Sequence, residues 1–252
     1  MTVSTKMDKW LSRPQPIDDP RLRLLCFPHA GSGPTTYHKW PATLPDGVEM
    51  WGIRLPGREI RLREPAHRQI DDMVADAAAA LRPFLDRPFV IFGHSLGALL
   101  GYELVRHWRN EDGPQPHHLI VSGHRAPHRP PLQPKCHQAP DAAFLQRVRR
   151  LGGTQDKFFA MTELVEMMLP TLRADFAAWE TYRYQEDEIL DLPITAFGST
   201  DDSEAQEIDI AAWRQHTNHD FNYQIFSGDH FYLQTNPEPL LKQIGGILQA
   251  YL

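Results

Sequence analysis

The residues most suggestive of chemistry are Gly93-His94-Ser95-Leu96-Gly97, which directly follow the apolar residues 88–92. A G-x-S-x-G segment between a buried strand and a helix is typical of a nucleophile elbow, a sharp turn that exposes a serine hydroxyl. The two glycines permit a strained turn and let the helix pass close to the strand. The segment therefore predicts that Ser95 is a nucleophile.

The partners that a serine nucleophile needs follow later in the chain. A serine hydroxyl is a weak nucleophile at neutral pH, so it requires a histidine base, which a carboxylate orients. After a nucleophile elbow the acid precedes the histidine in the chain. Asp201 and His230 come a few residues after the last two strand-like runs, with Asp202 as the alternative acid. We predict a triad of Ser95, Asp201 and His230, with His94 packed beside the elbow.

A glycine-rich segment, residues 27–33 with the sequence Phe-Pro-His-Ala-Gly-Ser-Gly, suits a loop whose backbone approaches a substrate. Acyl transfer needs N–H donors for the oxyanion that develops on the carbonyl. In an elbow site one donor is the residue after the serine and another comes from such a loop, which predicts Leu96 and Ala30. A plain tight turn is the alternative, and the role of His29 stays open. A phosphate-binding loop is less consistent with the sequence because no Gly-Lys-Ser/Thr follows.

Strand-like and helical patterns alternate along the chain, which predicts an α/β fold with a mostly parallel sheet flanked by helices. The strand-like runs are residues 22–27, 48–55, 89–92, 118–122, 194–197 and 223–226. A helix is expected at 72–86, capped by Asp71 or Asp72. Residues 125–191 carry a proline-rich entry and then helical patterns at 144–151 and 163–184. We predict one domain over 1–252, in which 125–191 form a helical lid over the carboxyl edge of the sheet.

Composition restricts the class of protein. The chain has 252 residues, 41% of them hydrophobic, and a formal net charge of −6. An acidic balance argues against nucleic acid as a partner, since phosphate binding needs concentrated positive charge. No apolar run approaches the length of a membrane span, and the first ten residues lack a secretion signal, so a cytoplasmic protein is expected. The two cysteines, Cys26 and Cys136, have neither disulfide nor metal-ligand spacing and are predicted to be free thiols.

Several motifs together resemble the type II thioesterases that accompany nonribosomal peptide and polyketide synthases, members of the α/β-hydrolase superfamily. The motifs are Leu25-Cys26-Phe27-Pro28-His29-Ala30-Gly31, Leu55-Pro56-Gly57-Arg58-Glu59, Phe92-Gly93-His94-Ser95-Leu96-Gly97-Ala98, Leu172-Arg173-Ala174-Asp175-Phe176 and Gly228-Asp229-His230-Phe231-Tyr232-Leu233. The second and fourth motifs separate this family from general lipases and esterases. Two departures are the segment Gly31-Ser32-Gly33, where the family usually has paired glycines before a small residue, and Asp202, where a proline commonly follows the acid.

The resemblance implies hydrolysis of acyl thioesters on the phosphopantetheine arm of acyl or peptidyl carrier proteins, without a metal or redox cofactor of the enzyme's own. Apolar lid residues are expected to line an acyl chamber, with ordinary core packing as the alternative: Phe158, Phe159, Met161, Leu164, Met167, Met168 and Phe176. Carrier proteins are usually acidic, so basic residues are candidate docking charges: Arg54, Arg58, Arg61, Arg63, Arg147, Arg149 and Arg150.

Other functions of the same fold remain open from the sequence. One is hydrolysis of acyl-CoA or oxygen esters, or release of fatty acids from a fatty acid synthase; another is a non-catalytic binding protein on a hydrolase scaffold. We expect neither a nucleic-acid nor a membrane partner, and a monomer is favoured because no self-pairing surface is evident. Gly152-Gly153 is expected to act as a hinge that makes the lid mobile.

Overall fold

A seven-stranded sheet forms the centre of the computed structural model, which describes residues 3–153 and 156–252. Its strands are β1 (Leu11–Ser12), β2 (Leu22–Phe27), β3 (Val48–Ile53), β4 (Phe89–His94), β5 (His118–Ser122), β6 (Ile194–Ser199) and β7 (Phe221–Phe226). They lie in the order β1-β3-β2-β4-β5-β6-β7, and β1 alone pairs antiparallel in this sheet. Each strand-like run of the sequence corresponds to one strand, which confirms the mostly parallel sheet.

The central strands are buried on both faces, which explains why they are near-continuous apolar runs. Every residue of β2 through β6 is buried, whereas β7 at the edge of the sheet is largely exposed. Successive side chains of β4 point to opposite faces. Ile91 packs in one apolar cluster and Val90 in another, so helices must cover both faces of the sheet.

Helices on both faces of the sheet complete the α/β-hydrolase fold. The α-helices of the described part of the chain are α1 (Val3–Trp10), α2 (Ile70–Leu81), α3 (Leu96–Asn110), α4 (Asp141–Leu151), α5 (Asp156–Phe159), α6 (Thr162–Thr181), α7 (Glu207–Ala211), α8 (Tyr232–Thr235) and α9 (Pro237–Gln249). Residues of α2 and α3 cover one face and residues of α9 cover the other. Within the described ranges, no helix has both the length and the apolar character that a bilayer span requires.

The predicted capping of α2 is wrong. The helix begins at Ile70 with Gln69 as its N-cap, and no side chain caps it. Asp71 and Asp72 lie in the first helical turn instead. Their negative charges there still favour the helix, because the N-terminal end of a helix dipole is positive.

The long interval between β5 and β6 contains α4, α5 and α6. Residues of α4 and α6 pack against each other in a third apolar cluster, formed by Phe144, Val148, Leu172 and Phe176. Gly152 and Gly153, which follow α4, have φ values of 82° and 72° and precede two residues outside the described ranges. The helical insertion is therefore present, and its mobility stays a prediction.

The start of α3 lies unusually close to two strands. A Cβ atom on Gly93 would lie 2.1 Å from the Gly97 carbonyl oxygen, and one on Gly97 would lie 2.1 Å from the Phe27 carbonyl oxygen. Both neighbours are backbone atoms, which cannot rotate away as a flexible side chain can. The two glycines of the elbow therefore allow α3 to pack directly on β2 and β4.

Substitution tests this close approach. Gly97→Ala is expected to lower the free energy of unfolding by about 1–3 kcal/mol, because the added methyl must push α3 away from β2. Gly246→Ala in α9 is the matched control, since a Cβ atom there meets nothing within 4 Å. Alanine is the better helix former, so the control should gain up to about 1 kcal/mol. Urea denaturation measures both, and equal stability of the two variants would contradict the proposed packing.

Candidate active site

Ser95 lies in the turn between β4 and α3, at the carboxyl end of the central strand. Its backbone has φ 54° and ψ −119°, an uncommon conformation for a residue with a side chain. The Ser95 N–H donates a 2.8 Å hydrogen bond to the Ser122 carbonyl at the end of β5, which helps to hold the turn. Such local strain is concentrated at functional sites. The structure thus has the strand–turn–helix geometry of a nucleophile elbow.

His230 follows β7 and is buried beside a buried carboxylate. Its Nδ1 lies 2.8 Å from Oδ2 of Asp202. An ionised carboxylate only accepts hydrogen bonds, so Nδ1 carries the proton and Nε2 is the nitrogen free to act as a base. His230 and Ser95 line the same cavity. Among the described residues the Ser95 hydroxyl has no hydrogen bond to His230, and contacts of this kind commonly tighten only with substrate.

The prediction of Asp201 as the orienting acid is wrong. The Asp201 side chain is exposed, and its backbone N–H donates a 2.9 Å hydrogen bond to the Gly228 carbonyl. The Asp201 side chain points toward solvent, while the next side chain, Asp202, points inward to His230. The other oxygen of Asp202 accepts a 2.7 Å hydrogen bond from the Glu204 N–H, which fixes the carboxylate. The alternative acid of the sequence analysis is therefore the one that the structure places against His230.

Ala30 and Leu96, the predicted oxyanion donors, both line the cavity that contains Ser95. Leu96 is the first residue of α3, and the first N–H groups of a helix have no intrahelical acceptor. Within the described ranges, neither the Ala30 N–H nor the Leu96 N–H donates a hydrogen bond to another residue. Both donors are thus available to a substrate oxygen, and their catalytic role stays a prediction.

Other histidines near Ser95 are poor candidates for the base. Burial lowers the pKa of His29 to about 4 and that of His124 to about 3, and both residues line the cavity. Burial also lowers the pKa of His94 well below its ordinary value, and its ring packs 5.0 Å from that of His230. An efficient base has a pKa near the operating pH, which these three histidines lack. The predicted packing of His94 beside the elbow is confirmed, and His124 was not foreseen.

The apolar wall of the cavity comes from the inserted helices α4 and α6. Its apolar residues are Val148 and Leu151 of α4 and Leu172, Phe176 and Trp179 of α6. The three residues of α6 are spaced by four and three positions, so they lie on one face of the helix. This face lines the same cavity as Ser95, and its action as a lid stays a prediction.

The predicted acyl-binding residues Phe158, Phe159, Met161 and Met168 are not among the described residues that line this cavity. Phe158 and Phe159 contact each other, with ring centroids 5.3 Å apart, and Met168 packs against the apolar cluster between α4 and α6.

The N-terminal end of α6 lies away from this cavity, so an acyl-binding role for its residues stays a prediction. Met161 and Met167 are exposed and border a surface groove together with Leu164. This segment precedes the α6 residues that line the cavity by about one to five helical turns. Of the seven lid residues that the sequence suggested, Phe176 is the one that lines the cavity.

Most of the candidate docking arginines form ion pairs within the protein. Arg54 pairs with Glu59, Arg58 with Asp175, Arg61 with Glu64 and Arg147 with Glu204. The Arg149 guanidinium lies 5.6 Å from the centre of the Phe159 ring. Arg63 and Arg150 are exposed. The four paired arginines therefore have structural partners.

Comparison with known proteins places the chain in a family. The thioesterase-domain family model matches residues 22–248. Linear gramicidin dehydrogenase LgrE of Brevibacillus parabrevis is 40% identical over 97% of this chain and 94% of its own length. Gramicidin S biosynthesis protein GrsT of Aneurinibacillus migulanus is 36% identical over 92% of this chain and 91% of its own. The solved structure of the type II thioesterase BorB, from the borrelidin biosynthetic cluster, has a TM-score of 0.86 and 33% identity, with 97% of this chain and 98% of BorB covered.

LgrE is named a dehydrogenase, but the loop after β2 in this chain lacks the pattern of a dinucleotide-binding turn. A dinucleotide-binding turn has the pattern G-x-G-x-x-G and opens a helix whose N-terminus holds the pyrophosphate. Here Gly31-Ser32-Gly33 is followed by a single 3₁₀ turn, Pro34–Tyr37, and Thr36 stands at the third glycine position. The family model, which matches most of the chain, and the similar structure of BorB both indicate a thioesterase. The chain belongs to the thioesterase family of the α/β-hydrolase superfamily, as one of the type II thioesterases that accompany nonribosomal peptide and polyketide synthases.

Proposed function

We propose that this enzyme hydrolyses acyl thioesters on the phosphopantetheine arm of carrier proteins and so clears stalled acyl groups from a synthase. The observation that carries the proposal is the buried hydrogen bond between His230 and Asp202, in the same cavity as the strained Ser95. A histidine oriented in this way is the base that a serine nucleophile requires. The similar proteins LgrE and GrsT are named for linear gramicidin and for gramicidin S biosynthesis, and BorB comes from the borrelidin biosynthetic cluster.

The first half of the reaction transfers the acyl group to Ser95. Nε2 of His230 takes the Ser95 proton as the serine oxygen attacks the thioester carbonyl, and Asp202 stabilises the imidazolium that forms. The N–H groups of Ala30 and Leu96 donate to the oxyanion of the tetrahedral intermediate. When the carbon–sulfur bond breaks, His230 returns the proton to the pantetheine thiolate, which leaves as the thiol.

The second half regenerates the enzyme by hydrolysis. His230 takes a proton from water as the water oxygen attacks the acyl-serine carbonyl, and the same two N–H groups hold the second oxyanion. Breakdown of this intermediate releases the carboxylic acid, and Ser95 recovers its proton from His230. The protein side chains supply each proton transfer, and the acyl chain lies against the apolar wall from α4 and α6.

A pair of neighbouring aspartates tests the acid assignment. Asp202→Asn is expected to lower kcat by about 10⁴-fold, because an amide no longer holds His230 in the required tautomer. Asp201→Asn is the control and should stay within about threefold of the wild type, since the Asp201 side chain is exposed. Steady-state hydrolysis of an acyl-carrier thioester measures both. The opposite ranking of the two variants would return the acid role to Asp201.

Substrate class is tested by comparing three acyl donors with the same acyl group. We expect kcat/KM to be highest for the acyl-carrier protein, lower for acyl-CoA and lowest for the p-nitrophenyl ester, because docking of the carrier protein adds binding energy at the transition state. Ser95→Ala should abolish hydrolysis of all three while the fold is retained. A clear preference for the oxygen ester would contradict the carrier-protein proposal, and full activity of Ser95→Ala would favour a non-catalytic role for the site.

The apolar wall is tested by filling it. Val148→Trp is expected to lower the ratio of kcat/KM for a decanoyl chain to that for an acetyl group at least about tenfold, because the larger ring occupies space needed by the longer chain. Met167→Trp, on the exposed part of α6, is the control and should leave the ratio unchanged. If the two variants shift the ratio equally, the acyl chain does not occupy this cavity.

A further inference from the structure

Two of the motifs that separate this family from other hydrolases are residues 55–59, which contain Arg58, and residues 172–176, which contain Asp175. Arg58 and Asp175 form a buried ion pair. Asp175 of α6 has no exposed surface, and Arg58 is 1% exposed. The arginine donates two hydrogen bonds to the carboxylate, from Nη2 to Oδ1 at 2.9 Å and from Nη1 to Oδ2 at 3.0 Å. Replacement of a buried ion pair by apolar residues is often neutral or stabilising, so stability alone does not explain such a pair.

The third donor to Asp175 is a backbone group of the loop that contains Ala30. The Gly31 N–H donates a 2.6 Å hydrogen bond to Oδ2 of Asp175, and Nη1 of Arg58 donates a 3.0 Å bond to the Ser32 carbonyl. Asp175 therefore binds the N–H group of Gly31, and Arg58 binds the carbonyl group of Ser32, in the segment that follows Ala30. A charged acceptor makes such hydrogen bonds shorter and stronger than neutral ones.

Helix α6 also packs closely against the same loop through Leu172. Gly31 has φ 71°, and a Cβ atom on it would lie 2.2 Å from Cδ2 of Leu172, one turn before Asp175 on α6. One face of α6 thus lines the cavity, contacts Gly31 and binds its N–H. The Ala30 N–H itself has no acceptor among the described residues and is left for the substrate.

We propose that Asp175 is a positioning residue: it fixes the Gly31 peptide so that the neighbouring Ala30 N–H is preorganised for the oxyanion, and Arg58 neutralises its charge. The neutralisation matters because an unpaired buried carboxylate near the developing oxyanion would oppose it electrostatically. The inference rests on the oxyanion role of Ala30 under the proposed function. It also makes the oxyanion loop dependent on the position of α6, the helix that covers the site.

Glu180 offers a matched control on the same helix. It is buried, and its carboxylate likewise accepts backbone N–H groups, from Cys136 at 2.9 Å and from His137 at 3.0 Å. These bonds anchor α6 to the segment that precedes α4, and they do not involve the loop at residues 29–33. Loss of Glu180 therefore removes hydrogen bonds between α6 and the segment before α4, and it removes none of the hydrogen bonds to the oxyanion loop.

The test compares Asp175→Asn and Asp175→Ala with Glu180→Gln and Glu180→Ala, on an acyl-carrier thioester and a p-nitrophenyl ester. An asparagine side chain keeps one acceptor oxygen for the three donors, which are the Gly31 N–H and the two Nη groups of Arg58. An alanine side chain has no acceptor. We expect kcat to fall about 10- to 100-fold on both substrates in the Asp175 variants, with KM within about threefold, because the loop donor is misplaced in the transition state. The Glu180 variants should keep kcat within about threefold even where the melting temperature falls equally.

The outcomes separate this inference from the proposed function. If kcat of Asp175→Asn stays at the wild-type value, or falls no further than that of Glu180→Gln at equal loss of melting temperature, the positioning role is wrong. This comparison decides the matter even when Asp175→Ala does not fold. The p-nitrophenyl ester keeps the test valid when the carrier-protein thioester is not hydrolysed. An active Ser95→Ala would instead overturn the proposed mechanism, and the inference with it.

Discussion

The hydrogen bond between Nδ1 of His230 and Asp202 is the interaction on which the proposed mechanism depends. It commits the Nδ1 proton to a carboxylate and leaves Nε2 as the proposed base for Ser95. The parallel sheet makes this meeting possible, because elements far apart in sequence end at the same edge. The elbow glycines contribute by letting α3 pack on β2 and β4, so that the strained turn holds Ser95 at that edge.

Helix α6 both lines the cavity that contains Ser95 and binds residues that follow the core strands β2 and β3. Its C-terminal half supplies Leu172, Phe176 and Trp179 to the cavity, and Asp175 between them binds Arg58 and the loop that carries Ala30. A single helix therefore lines the cavity that contains Ser95 and contacts the segment that is proposed to stabilise the oxyanion. Arg58 after β3 and Asp175 on α6 thus belong to two motifs that meet in the folded protein.

Much of the fold could be predicted because the central strands are buried on both faces and their apolar runs are unmistakable. The serine and histidine followed from the elbow and from the order of residues after the strands. Whether Asp201 or Asp202 is the acid could not be decided from the sequence, because the two aspartates are adjacent and only the folded backbone after β6 shows which of them points inward. Which apolar residues of the insertion line the cavity could not be predicted, because Met161 and Phe176 belong to one apolar pattern and only the packing of α6 distinguishes the exposed residue from the buried one.

Covalent trapping of the acyl-enzyme is the sharpest test of Ser95 as the nucleophile. The enzyme is mixed with an acyl thioester, quenched in acid within milliseconds to seconds, digested and mapped by mass spectrometry. We expect an acyl mass on the peptide that contains Ser95, and no such mass when His230 is replaced by alanine. An acyl group on another residue, such as Cys136, or rapid hydrolysis without any acylated peptide, would contradict it.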